Sequence, residues 1–301
     1  AGAGTTAIQE IHPRISGTVC PVAAAGAAGR ADDEPAGGAV VLGVLIICSL
    51  VGVLLLWLGI YKKISRKTAA ISAALSLALA GALLLLAVLP GNSFYGKVIT
   101  HAENTHGRKL IALTFDDGPY PPYTQKLLKL LAAKNVHATF FMVGENAAKH
   151  PETVKLVQAQ GHLIALHAGY HKDLLKLSSS EATANIAYGK ETLQSITGTA
   201  PQYMRPPHGF KDWSTVKAIN DAGMQIVNWS IIPRDWTNPG VQVIAGRVCE
   251  NAAPGAIVLL HDGDSPKNLA PRDQTIEAVG LIIDRLRAEG YEFVTIEELN
   301  K

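Results

Sequence analysis

Two stretches without a single charged residue, 39–61 and 69–89, constrain this chain more than any other feature. Each is long enough to cross a hydrocarbon core about 30 Å thick as a helix. Soluble core helices of that length carry a polar stripe, and neither run has one. They also account for a mean hydropathy of +0.17. Between them, residues 62–68 carry Lys62, Lys63, Arg66 and Lys67. Short loops rich in Lys and Arg stay cytoplasmic, which places both ends of the chain outside. The alternative takes the second run as a signal sequence with the basic stretch as its n-region. No small-x-small cleavage site follows Leu89, which favours a retained anchor. In either topology the chain beyond Pro90 is exported, so the expected location is the cell membrane, with the folded domain extracytoplasmic.

The rest divides by composition. Residues 1–38 are rich in Ala and Gly without apolar periodicity and read as a disordered tail. Residues 90–108 read as a linker, and 109–301 as one folded domain large enough to bury a core. Net charge is +2 with 17% charged residues and no large basic cluster, which argues against nucleic acid as a partner. No protein partner is predicted. The 3 cysteines, Cys20, Cys48 and Cys249, leave the folded domain neither an internal disulfide nor a thiolate cage.

From Lys109 onward short β-rich runs alternate with amphipathic stretches. The expected strands are 110–115, 138–143, 163–166, 202–205, 225–229, 256–260 and 292–296. The expected helices are 124–134, 152–160, 179–197, 214–222, 241–252 and 275–289. Ser178 and Glu181 have capping-box spacing, and Gly161, Gly223 and Gly290 stand where helices should stop. The alternation implies a parallel sheet, either closed into a barrel or open and doubly wound; periodicity does not choose between them.

Polar residues gather where strands end. Asp116 and Asp117 follow the first expected strand, His167 and His171 the third; Arg205 ends the fourth, Asp235 lies beyond the fifth, and His261 ends the sixth. In parallel α/β folds these ends share one face, where functional groups collect. Gly118-Pro119 forces a sharp exit after the aspartates, and adjacent strand-end residues face different ways, so one carboxylate can meet a cation and the other a substrate. Two imidazoles and one carboxylate make an open site for a divalent ion. His12, His101, His106, His137, His150 and His162 read as tail, linker, surface or satisfied polar residues.

Thr114-Phe115-Asp116-Asp117-Gly118-Pro119 resembles the first signature of the polysaccharide deacetylases with the NodB homology domain, carbohydrate esterase family 4. Four further signatures follow in order: His167 to His171, Arg205-Pro206-Pro207-His208-Gly209, Asp235-Trp236 and Leu259-Leu260-His261. The resemblance implies a distorted (β/α) barrel of about seven parallel strands. It implies one divalent metal ion on Asp117, His167 and His171, zinc before cobalt, manganese or nickel. It makes Asp116 the catalytic base, held by Arg205, and His261 the catalytic acid, tuned by Asp235. Trp236 and Leu259 would wall an acetyl-methyl pocket, with Pro207 and His208 also against substrate and the His208 backbone N–H serving the oxyanion. The implied partner is an N-acetylated polysaccharide, peptidoglycan or chitin-like, beside the membrane holding the two helices.

Three positions depart from the family pattern. Ala168 stands where Ser or Thr is usual, His208 where Tyr is usual, and Ile232 where another Asp is frequent. None removes a group named above. The competing expectations are a catalytically silent glycan-binding module and an O-acetyl esterase on the same scaffold. Residues 120–123, 208–213 and 237–240 are further groove candidates by position alone.

Overall fold

The computed structural model describes Gly2 and residues 39–301. The tail expected over 1–38, with Cys20 and His12, lies outside the described residues except for Gly2. The two apolar runs form α1 (Ala39–Ile60) and α2 (Arg66–Val88). Both are long and apolar enough to cross a membrane. Small residues bring them together: a Cβ on Gly59 would lie 2.6 Å from that of Ala69, and Gly52 faces Ala73. Ser76 Oγ adds a hydrogen bond of 2.8 Å to the Cys48 carbonyl. Large apolar side chains such as Leu50, Val53, Leu75 and Leu77 are exposed, the arrangement of a helix pair solvated by lipid. Through these helices the chain is associated with a membrane.

The folded part is built on parallel strands: β1 (Val98–Ile99), β2 (Leu110–Asp116), β3 (Thr139–Met142), β4 (Leu163–Leu166), β5 (Tyr203–Met204), β6 (Gln225–Val227), β7 (Ala256–His261) and β8 (Glu292–Phe293). Their order is β1-β6-β5-β4-β3-β2-β7, with β8 paired to the start of β2. β2 is buried along its whole length, as a near-continuous apolar strand should be at the centre of a parallel sheet. The sheet curls until its ends approach. Ile231 bridges to Val258 and His101 to Ala256, and the Leu259 N–H donates to the Ile231 carbonyl at 2.9 Å. The result is a curled half-barrel of about seven strands, closed by bridges rather than by a full ladder. That resolves the choice left open by periodicity.

Between the strands lie α3 (Tyr123–Ala133), α4 (Gly144–Lys149), α5 (Pro151–Ala159), α6 (Ser179–Thr197), α7 (Trp213–Asp221), α8 (Val241–Cys249), α9 (Asp273–Ala288) and α10 (Ile296–Leu299). α3 to α9 bury apolar faces around Phe115, Phe140, Leu128, Ile219 and Ile282 in one core, and α10 packs Ile296 and Leu299 with Phe141 and Ile257 in a second. The Ser178–Glu181 capping box forms, and Gly161, Gly223 and Gly290 take positive φ of 78°, 76° and 86°. The departures from expectation are local. β5 stops at Met204, since Pro206 and Pro207 lack the N–H a strand would need. The last strand stops at Phe293 because Thr295 caps α10. α4 and the two-residue β1 carry too little periodicity to be read in advance, and β1 lies in the stretch expected as linker.

Candidate metal and catalytic site

Register puts the functional ends together. Asp116, the last residue of β2, pairs with His261, the last of β7, and Leu166 at the end of β4 pairs with Met204 at the end of β5. The residues that follow, Asp117, His167 and Arg205, therefore leave the sheet on one face. Asp117 turns at once into a left-handed conformation (φ 75°). Its carbonyl is held by Asn146 Nδ2 at 2.8 Å, and Gly263 and Gly118 leave no room for a Cβ against Asp117 and Asp262. Ala168 (φ 65°) and His208 (φ 61°) are also left-handed. Such backbone concentrates where surrounding structure over-determines a site.

One carboxylate oxygen of Asp117 and one ring nitrogen each of His167 and His171 lie within 4.8 Å of one another. His167 Nε2 is 3.4 Å and His171 Nε2 3.3 Å from Asp117 Oδ1. His167 Nδ1 donates to the Arg205 carbonyl at 2.7 Å, which fixes the ring and turns its Nε2 lone pair inward. Burial, then the neighbouring His171, holds His167 well below its usual pKa, and burial lowers His171 too. Both rings stay neutral and able to ligate. Asp117 Oδ1 is buried yet accepts no hydrogen bond among the described residues. A buried carboxylate oxygen without a donor, facing two neutral imidazoles, fits a divalent cation.

Two braced groups flank this cradle. Asp116 Oδ1 accepts from Arg205 Nη1 at 2.6 Å. The fully buried guanidinium also donates to Thr114 Oγ1 (2.8 Å), the Val227 carbonyl (3.1 Å) and the Asn228 carbonyl (2.9 Å), and lies over the Phe141 ring. Burial pushes Asp116 up to about 6 against the pull of Arg205. His261 Nδ1 lies 2.9 Å from Asp235 Oδ1, while Asp235 Oδ2 accepts from the His261 N–H (2.9 Å) and Thr275 Oγ1 (3.0 Å). Burial opposes the imidazolium, but Asp235, then Asp117 and Asp116, outweigh it and raise His261 to about 9.

Asp116, Asp117, His167, His171 and His261 line one hollow of about 420 Å³. His208, Trp236 and Leu259 line it too. Arg205 and Asp235 stand behind, each gripping a lining residue. Pro207 is buried and does not line the hollow. Of the stretches 120–123, 208–213 and 237–240, only the second reaches it, through His208 and Phe210. Trp229, Arg272, Asp264, Ser265, Val88 and Pro90, not singled out in the sequence as site residues, also line it. Trp229 follows β6 and carried the strand-end signal; the others carried none. Asp262, likewise not singled out, accepts from Thr124 Oγ1 at 2.5 Å and is pushed up to about 7 by burial.

Residues 103–227 match the sequence pattern of the family described as polysaccharide deacetylase. A peptidoglycan-N-acetylglucosamine deacetylase of Bacillus cereus is 40% identical over 199 residues, covering 65% of this chain and 91% of that protein. A chitooligosaccharide deacetylase of Bradyrhizobium is 36% identical over 201 residues, covering 64% and 92%. Among solved structures, the peptidoglycan N-acetylglucosamine deacetylase Bc1960 superposes with a TM-score of 0.63 at 32% identity, over 67% of this chain and 92% of its own. BA3943 of Bacillus anthracis, described as a CE4 family pseudoenzyme, does so with a TM-score of 0.61 at 26% identity, over 67% and 68%.

Proposed function

Because the chain belongs to the polysaccharide deacetylase family, we propose that it is a metal-dependent enzyme hydrolysing the acetamide of N-acetylated amino sugars in peptidoglycan or a chitin-like surface polysaccharide. One observation carries this reading: the Asp117–His167–His171 cradle lies between a carboxylate gripped by Arg205 and an imidazole gripped by Asp235. The substrate class is supported by the activities named for its relatives. The catalytic domain spans 109–301 on a two-helix anchor and faces the extracytoplasmic side, as the basic loop between the helices argues.

Asp117, His167 and His171 would hold the cation. Zinc best suits this donor set, and cobalt, manganese and nickel accept the same ligands. Bound there, a divalent ion supplies Lewis acidity that acidifies water and polarises a carbonyl. With Oδ1 occupied by Arg205, Asp116 keeps Oδ2 to take the proton of the attacking water. The hydroxyl joins the acetyl carbon, and the His208 backbone N–H meets the charge that builds on the acetyl oxygen. His261, its Nδ1 engaged by Asp235, delivers a proton from Nε2 to the sugar nitrogen as the C–N bond breaks. Trp236 and Leu259 wall the space for the acetyl methyl, and His208 contacts the sugar. The products are acetate and a free amine.

Chelator-sensitive acetate release from N-acetylated chitooligomers or muropeptides is the expected result; no release from either overturns the reading. The Bacillus anthracis pseudoenzyme marks a competing one, a silent glycan-binding module. Its signature is sugar binding without turnover, unaltered by Asp116→Asn. Hydrolysis of O-acetyl esters by the same groups is separated by a substrate panel.

A further inference from the structure

We propose that the site takes its substrate at the bilayer surface: the N-acetyl amino sugar is carried on a lipid in the same membrane, and the end of α2 forms part of the wall that receives it. The inference rests on the deacetylase reading above. Val88, the last residue of α2, and Pro90 line the same hollow as Asp117 and His171. An anchor that merely tethered the domain would not enter its catalytic pocket.

The contact is fixed by polar bonds. The buried ammonium of Lys211 donates to the carbonyls of Leu89 (2.9 Å) and Pro90 (3.1 Å), and its backbone N–H to that of Ala87 (3.0 Å). Asn228 Nδ2 donates to the Pro90 carbonyl at 2.7 Å. Helix C-termini leave such carbonyls without partners and attract cations, so the domain itself caps α2. Tyr95 reaches further down, its hydroxyl donating to the Leu83 carbonyl at 2.7 Å. Its ring packs on Trp213 (4.8 Å between centroids), which meets Phe94 at 5.6 Å. Trp213 and Phe94 are half-exposed beside the last turn of this apolar helix, as aromatics at a membrane–water interface are. On the other side, α1 meets the 3₁₀ turn Leu174–Lys176, which follows closely on His171. The loops after His171 and after His208 are thus both docked on the anchor helices.

Helical rise converts this to depth. The apolar run of α2 ends at Leu89, and Val88 lies one residue, about 1.5 Å of helical rise, short of that end, so the hollow opens where α2 would leave the hydrocarbon, at headgroup level. Ile232 (41% exposed) and Trp236 (39%) add apolar surface to the same hollow. A polymer standing off the membrane would have to bend down to this mouth. A sugar linked to a lipid headgroup is presented there already.

A molecular ruler tests it. Full-length protein in phosphatidylcholine vesicles with zinc would be given chitotetraose in three forms: free, coupled directly to phosphatidylethanolamine, and coupled through a long polyethylene glycol spacer. Acetate release should be about tenfold faster from the directly coupled form than from the spaced one, since both share the gain in local concentration and differ in reach. Faster release from the spaced form, or release from the free form alone, overturns the inference and leaves the deacetylase reading intact. No release from any form overturns both. Val88→Trp should slow the directly coupled substrate about tenfold; an unaffected Val88→Trp enzyme removes α2 from the substrate wall.

Discussion

Asp116 and His261 meet across one strand pair, yet their surroundings drive their protonation apart. Arg205 stabilises the charged carboxylate, while Asp235 keeps the imidazole charged, the division a base and an acid need at one pH. A group raised to about 9 holds its proton below that pH and loses it above, so the alkaline limb of the rate profile should report His261. Asp235→Asn removes the charge but keeps an acceptor. The limb should then fall toward the ordinary histidine range near 6.5, and the rate at pH 8 should drop about thirtyfold. A pH–rate profile of the two enzymes checks this. Arg205 makes a separate test. Arg205→Met leaves Asp116 buried without its guanidinium partner, at an expected cost of about 3–5 kcal/mol in a denaturant titration. Adding Asp116→Asn removes the stranded charge, so the double variant should regain part of that loss.

At the scale of elements, α6 positions the loop that carries His167 and His171 rather than only covering the sheet. Asn185 accepts from the N–H groups of Gly169 (2.7 Å) and Tyr170 (2.9 Å) and returns a bond to the Tyr170 carbonyl (3.2 Å). It thereby holds the chain between His167 and His171. Asn185→Leu should weaken zinc about 10–100-fold in a competition titration, as loss of an outer support does elsewhere, while the neighbouring Ser178→Ala, which strips the helix cap, should cost about 1 kcal/mol of stability with little change in zinc affinity. How far such elements could be read in advance follows from their physics. α6 was legible because its capping box and its amphipathic face agree. β2 was legible because a buried parallel strand is a continuous apolar run. The gathering of Asp116, Asp117, His167, Arg205 and His261 was legible because parallel strands deliver their ends to one face. β1 was not, since two residues paired only through backbone leave no side-chain pattern. Arg272 enters the hollow through long-range register, which no local spacing encodes, whereas Trp229 ends an expected strand and shared the strand-end signal. The intrusion of Val88 and Pro90 was hidden for the opposite reason: their sequence signal belongs wholly to the membrane helix.

For the whole molecule, the ordering of charge around the helix pair decides which side of the membrane the site faces. Lys62 and Lys63 follow α1, and Arg66 and Lys67 form the first turn of α2. A helix N-terminus disfavours cations, so helix stability does not account for Arg66 and Lys67 there; the proposed retention of the loop on the cytoplasmic side would. Ser65, which caps α2 by accepting the Thr68 N–H at 3.0 Å, marks that side. Leu269, 75% exposed on the folded domain, marks the other. In a background with Cys20, Cys48 and Cys249 replaced by Ser, Leu269→Cys should react with a membrane-impermeant maleimide in intact cells, and Ser65→Cys only after permeabilisation. The reverse pattern would put the hollow in the cytoplasm, out of reach of any exported polymer. Labelling at Leu269 alone would instead join the two halves of the molecule into one device, with positive charge holding the loop inside and α2 carrying the reaction to the outer surface.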